Sequence, residues 1–375
     1  MVYWLVNTLI VTVLSFLMSA LIIPRILTIS FKKKLFDIPD GRKIHHDAVP
    51  RLGGLAFTMV IVFAMVFAVG SNFTFGFYEM LPLLHDEALE FAFILCGIML
   101  LYVVGFSDDM VGVRYRTKFS IQVLSALMLI MGGLWLKDLF GVIWIHQLHP
   151  FAGYALTILV VVFIINAINL IDGVDGLASG LSMVMFVVYG VSFLVHKEFL
   201  YALLSFAGFG LLVPFFYFNV FGRASKKQKI FMGDTGSMTL GFMVSVLCIK
   251  EFGMSFEYMV GEVNPMVIAF SPLLVPCLDV VRVFLYRIKH HKNPFLPDQN
   301  HIHHKLLALG MSQKLTMISV IAISGLFTAV NLILSKYCNA TLILFGDIIV
   351  WVLFNLLINK AGNRRKSLDN KLNLN

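Results

Sequence analysis

Charge is what this sequence has least of: Asp, Glu, Lys and Arg make up 13% of its 375 residues, against 59% hydrophobic ones, and the mean hydropathy is +0.88. A soluble core cannot hide that surplus of apolar surface, so a soluble globular domain is excluded. Cysteine is nearly missing too. Cys96, Cys248, Cys277 and Cys338 lie in or beside apolar runs without CxxC spacing, which excludes a disulfide framework and leaves them as small core residues. No internal repeat of about 20–50 residues is present, which excludes a solenoid.

What is there instead is a series of apolar runs of about the 20 residues that cross a bilayer. They lie at 3–27, 52–70, 91–107, 119–136, 154–171, 177–195, 199–221, 237–250, 265–288, 314–335 and 341–359. The expectation is an all-α, polytopic membrane protein with about eleven transmembrane helices, or ten if the short run at 237–250 does not span. The first run ends at Pro24-Arg25 before Lys32-Lys33-Lys34 and lacks a small-residue cleavage pattern, so it is expected to be retained. Residues 1–362 read as a single transmembrane catalytic domain, and 363–375 as a basic cytoplasmic tail without structure of its own.

Lys and Arg are kept on the cytoplasmic side during insertion. Alternating eleven spans gathers loops 28–51, 107–119, 221–237 and 285–314 and the tail on one side, with 23 of the 29 basic residues. This puts the amino terminus outside and the carboxy terminus inside. The opposite loops carry Glu79, Asp86, Glu87, Glu90, Asp138, Glu198, Glu251, Glu257 and Glu262, and read as solvated connectors. The net charge of +8 belongs to residues flanking spans, which suits membrane lipids with anionic headgroups and not nucleic acid.

Every segment that combines carboxylates, amides, glycines and histidines falls on the basic side. Asp108 and Asp109 end the third run, ahead of Arg114, Arg116 and Lys118, and adjacent carboxylates repel unless a cation or proton intervenes. Asn166, Asn169, Asp172 and Asp175 recur every third residue, while Gly173 and Gly176 break the helix. Unwound backbone at that depth points to a cavity lining, although membrane amides also serve as interhelical hydrogen-bond partners. Asp234, between Gly233 and Thr235-Gly236-Ser237, stands at a helix start where N–H groups face an anion or a metal-bound phosphate; alone it would read as an ordinary cap.

Five carboxylates at three span ends form an oxygen-only set suited to Mg²⁺, with Mn²⁺ as the alternative. His301, His303 and His304 have neither the spacing nor the cysteine partners of a structural zinc site, which favours phosphate binding. Lys118 is equally a phosphate contact or a snorkelling interface lysine, and Arg42 and Lys43 share that ambiguity. Asp279 and Arg282 read as a buried i, i+3 pair outside the catalytic set.

In order along the chain, PRLGG (50–54), FSDD (106–109), NxxNxxDGxDGL (166–177), FMGD (231–234) and PDxxHIHH (297–304) resemble the motifs of the polyprenyl-phosphate N-acetylhexosamine-1-phosphate transferases. PRLGG and the NPFLPD–HIHH segment are similar to the WecA/TagO branch, which transfers GlcNAc-1-phosphate. The resemblance implies transfer of a hexosamine-1-phosphate from a UDP-N-acetylhexosamine to undecaprenyl phosphate with release of UMP, inhibition by tunicamycin-type nucleosides, and a homodimer. It implies Asp234 as the leading Mg²⁺ ligand, with Asp172 a further one. Asp108 is implied as base, phosphate positioner or covalent nucleophile, and Asp109 as its metal-site or nucleotide-site partner. Asp172 and Asp175 join the catalytic set, Asn166 and Asn169 line the substrate cavity, and the three histidines face the donor phosphates. A secondary transporter is the reading from another class. It would place its charges near the midplane within inverted repeats, and no such halves are visible.

Overall fold

The computed structural model describes residues 1–36, 49–254, 263–293 and 300–372. Among them no β-strand forms, and thirteen helices follow one another: α1 (Val2–Lys33), α2 (Leu55–Thr74), α3 (Leu81–Val111), α4 (Tyr115–Met131), α5 (Pro150–Ile171), α6 (Leu177–Val195), α7 (Phe199–Val220), α8 (Gly233–Gly253), α9 (Pro265–Phe270), α10 (Leu274–Lys289), α11 (Ile302–Ala308), α12 (Gln313–Leu334) and α13 (Ala340–Leu372). A single 3₁₀ turn, Ser271–Leu273, joins α9 to α10.

Nine helical segments of the described residues are long and apolar enough to cross a membrane, with α9 and α10 acting as one. The protein is thus all-helical and polytopic. The two further expected spans are helices as well. α4 has only 17 residues. α8 replaces the short run at 237–250 with 21 residues, mixes Gly, Ser and Thr with its apolar side chains, and is buried along almost its whole length at the centre of the bundle.

That central position follows from small side chains, which let membrane helices approach closely. A Cβ at Gly241 would lie 2.6 Å from Ile165 Cα of α5, and one at Gly97 of α3 would lie 2.3 Å from the Phe242 ring. The hydroxyls of α8 turn back on their own helix: Thr239 donates to Thr235 O at 2.6 Å and Ser245 to Gly241 O at 2.7 Å. These hydroxyls are thereby satisfied without a partner from another helix. α3 and α5 pack along α8, and α2, α6 and α9 close the rest of its circumference, so this central helix is enclosed.

Two expectations about the periphery change. α13 stays helical to Leu372, so the tail expected from 363 continues the last span as helical backbone. The outer carboxylates are not all solvated connectors. At the far end of α8, Lys250 Nζ lies 3.5 Å from Glu90 and 3.2 Å from Glu198, and 4.0 Å from Glu87. It also sits 4.5 Å above the Tyr201 ring, whose hydroxyl donates to Glu90. Glu251 is fully buried and accepts from Ser192 at 2.6 Å. Glu257 and Glu262 lie outside the described residues.

Removing one ammonium that serves three half-buried carboxylates leaves them uncompensated. Lys250→Met is therefore expected to destabilise the detergent-solubilised protein by about 3–5 kcal/mol, read as a lower thermal unfolding midpoint, with Lys250→Arg losing less.

Candidate active site

The near end of α8 begins without a capping side chain of its own. Its cap comes from another helix. Asp109, in the last turn of α3, accepts the Asp234 N–H at 2.8 Å on Oδ1. On Oδ2 it accepts the Thr235 N–H at 3.0 Å and the Thr235 hydroxyl at 2.5 Å. A carboxylate at the positive end of a helix satisfies orphan donors and the helix dipole together.

Only glycines allow that approach. Gly233 has φ +72, and a Cβ on it would lie 2.1 Å from Arg51 O. A Cβ at Gly105 would lie 2.5 Å from Thr235 Cα, and one at Gly54 would lie 2.1 Å from Gly236 N. The Pro50–Gly54 segment is zipped to the same corner: Phe231 N–H donates to Pro50 O at 2.8 Å, Gly53 N–H to Phe231 O at 3.0 Å and Gly54 N–H to Met232 O at 2.9 Å.

The second carboxylate of the pair faces the opening. Asp108 Oδ1 accepts the Val113 N–H at 2.7 Å, and Oδ2 lies 2.6 Å from Lys118 Nζ. The same ammonium lies 2.5 Å from Asp234 Oδ2. Lys118 is therefore placed at the site and not as a snorkelling lysine. One carboxylate oxygen from each of Asp108, Asp109 and Asp234 falls within 4.8 Å of the others. Three carboxylates, two of them paired with one ammonium, make an oxygen-donor set of the kind hard divalent cations take.

The end of α5 closes the next side. Asn169 donates to Ser237 Oγ of α8 at 2.7 Å. Asn166 lies a turn deeper and donates to Gln122 Oε1 of α4 at 2.8 Å and to Val162 O at 2.7 Å, an interhelical bond. Asp172 caps α5. Burial, reinforced by Asp175 and Asp234 and opposed by Arg51, holds its carboxyl well above the ordinary carboxylate range. Asp175 pairs with Lys229 at 2.6 Å. Gly176, at φ +77, gives its N–H to Asn219 at 2.6 Å, and Asn219 donates in turn to Ile230 O at 2.8 Å. These bonds tie the DGxDG turn to the chain entering α8.

The histidines arrive from α11. Asp279, fully buried, accepts from His301 Nδ1 at 2.8 Å and from the Ile302 N–H at 3.0 Å, and pairs with Arg282 at 2.7 Å. Arg282 also donates to Asn300 O. The expected i, i+3 pair exists, and it is the socket for the histidine segment. His303 packs under the DGxDG turn, where a Cβ at Gly173 would lie 2.5 Å from its Nε2. Burial, with His304 and His301 beside it, pushes His303 down to about 3, so the ring is neutral. His301 and His303 are thus buried rather than turned to the opening, while the His304 ring lies tilted against His303 at 4.3 Å and stays partly exposed. Lys305 follows, pulled down to about 8 by burial and then Arg282. Arg42, Lys43 and Pro297-Asp298-Gln299 lie outside the described residues.

Residues 91–251, α3 to the end of α8, match the family model of glycosyl transferase family 4. Over 352 residues the chain is 31% identical to the probable undecaprenyl-phosphate N-acetylglucosaminyl 1-phosphate transferase of Bacillus subtilis (strain 168), covering 93% of this chain and 91% of that protein. It is 28% identical over 341 residues to the undecaprenyl-phosphate alpha-N-acetylglucosaminyl 1-phosphate transferase of Escherichia coli O157:H7, covering 88% and 85%. The Yersinia pestis enzyme of that name is 27% identical over 331 residues, covering 87% and 84%. The chain belongs to glycosyl transferase family 4. It is a phosphosugar transferase.

The transferase's matched segment holds the carboxylates, Lys118 and the α5 amides, but neither Arg51 nor the histidine socket. Arg51, Thr235, Lys229, Asp279 and Arg282 were not candidates on sequence grounds. The signal available for the last two was their charge inside a span, which marks function by default.

Because the Gly105 contact is backbone against backbone, Gly105→Ala must shift α3 from α8. We expect turnover to fall about 100-fold in a protein that still elutes as wild type on size exclusion. Unchanged turnover would contradict the close packing of these two helices at the site.

Proposed function

We propose that the transferase moves GlcNAc-1-phosphate from UDP-GlcNAc to undecaprenyl phosphate. An acceptor phosphate oxygen attacks the β-phosphorus, the bond from that phosphorus to the bridging oxygen breaks, and UMP leaves with it. Undecaprenyl-pyrophosphoryl-GlcNAc remains in the membrane. The names of the relatives support the acceptor and the transferred group, and the UDP carrier is what the motif resemblance implies. The observation that carries the chemistry is the Lys118 ammonium held between Asp108 and Asp234 beside the first turn of α8.

Two phosphate anions must be brought together, so the barrier is electrostatic before it is covalent. Lys118 is the cation standing where phosphate oxygens would approach, since the first N–H groups of α8 are taken by Asp109. Asp108, Asp234 and the free lone pair of Asp109 would hold Mg²⁺, which when bound supplies further neutralisation of phosphate charge. Asp108 orients Lys118 and the acceptor. It is not needed as a strong base, since a phosphate monoester with a second pKa of about 6 is already mostly dianionic at neutral pH. The excess of basic residues on the loops carrying the site supports a cytoplasmic face, in a bacterial cytoplasmic membrane, with the amino terminus outside. Such a product begins a cell-surface polysaccharide.

The test is UMP release by purified protein given undecaprenyl phosphate, UDP-GlcNAc and Mg²⁺. We expect lipid-dependent UMP that vanishes with EDTA and falls by about 10²–10³-fold in Asp108→Asn and in Asp234→Asn. UMP only with UDP-GalNAc or UDP-MurNAc-pentapeptide would reassign the donor. UMP unaffected by EDTA, or none with any UDP-hexosamine, would overturn the reading.

A further inference from the structure

α13 is longer than a bilayer requires. Its 33 residues extend about 50 Å at 1.5 Å per residue, against about 30 Å of hydrocarbon. The surplus is the end carrying Lys360, Arg364 and Arg365. That end returns to the site through α11. A Cβ at Gly362 would lie 4.0 Å from Leu309 Cδ2, and one at Gly310 would lie 2.0 Å from Arg365 Nη1 and 2.8 Å from its Cζ.

Leu309 and Gly310 are the end of α11. Gly310 takes φ +85 and gives its N–H to Leu307 O at 2.8 Å, while the Leu309 N–H reaches Lys305 O at 3.0 Å. A helix ends in carbonyls with partial negative charge, and a guanidinium there is favourable. The turn is bare of side chain at the one position where the guanidinium is seated. The other end of α11 is held by Asp279 through His301 and the Ile302 N–H. α11 is therefore clamped at its start by α10 and at its finish by α13. Its placement decides how His303 meets the Gly173 turn and where His304 and Lys305 stand.

We infer that Arg365 is a positioning residue for the nucleotide-sugar half of the site: from the extension of α13 it seats on Gly310 and fixes the short helix that sets His303 under the Gly173 turn and carries His304 and Lys305. The inference rests on the transfer reaction proposed above for the identity of the donor. Arg365 touches no reacting group and acts through α11. The carboxylate end of the site, built from α3, α4 and α8, is held by its own contacts.

The experiment compares wild type with Arg365→Ala, Arg365→Lys and Gly310→Ala. Arg365→Ala and Gly310→Ala are expected to raise the KM for UDP-GlcNAc about fivefold, with kcat and the KM for undecaprenyl phosphate unchanged, and Arg365→Lys to recover part of the loss. Hydrogen exchange of the 301–311 segment is expected to quicken in Arg365→Ala, a readout independent of turnover. Unaltered exchange in that segment overturns the inference whatever the substrate. Altered exchange with an unchanged donor KM in an active enzyme also overturns it, by showing that the contact is structural only. Wild-type protein that makes no UMP sinks the reaction reading instead, and leaves the exchange result to decide the clamp.

Discussion

A helix buried at the centre of a membrane bundle must still satisfy the N–H groups of its first turn. Asp109 meets that need for α8 from a neighbouring helix, and the rest of the site follows from this contact. Because both oxygens of Asp109 are bonded to α8, α3 is fixed against α8 at one height. Its sequence neighbour Asp108 is thereby carried toward the opening, on the same side as Asp234. Lys118 then lies between the two carboxylates that face outward. A pair of adjacent aspartates thus divides its work: Asp109 joins the two helices, and Asp108 turns to the opening.

The electrostatic pattern is matched to phosphate chemistry in a membrane. Carboxylates alone would repel anionic substrates, and cations alone would trap the pyrophosphate product. The site interleaves them: Lys118 with Asp108 and Asp234, Lys229 with Asp175, Arg282 with Asp279. At the opposite end of α8 the same logic serves stability, with Lys250 gathering three glutamates. The central helix is therefore held by ionic groups at both ends and by close apolar packing between them.

Much of the site was legible because its elements are written as short, dense polar segments between apolar runs. Asp108, Asp109, Lys118, Asn169, Asp172 and Asp234 come together as their grouping on one side of the span pattern suggested. What could not be read lies between segments. Nothing local in Gly54 or Gly105 says that each abuts the backbone of α8, since a glycine in a helix run is equally a packing notch or a neutral filler. Asp279 and Arg282 were legible as an i, i+3 pair, but the partner that gives the pair its purpose, His301, comes from another segment. The outer glutamates were misread for the same reason. A carboxylate in a loop is solvated unless something distant covers it, and here Lys250 and Tyr201 do. Asn166 is partly exposed and also bonded to Gln122, a partner from another segment that its spacing does not reveal.

The account stands on the three carboxylates at the start of α8 forming one cation site. Anomalous diffraction from crystals of the purified transferase grown with Mn²⁺ tests it most directly. The account predicts one strong peak per chain among the carboxylate oxygens of Asp108, Asp109 and Asp234, lost in Asp234→Asn. A peak at Asp172 and Asp175 or at the histidines, with none at the start of α8, would contradict it.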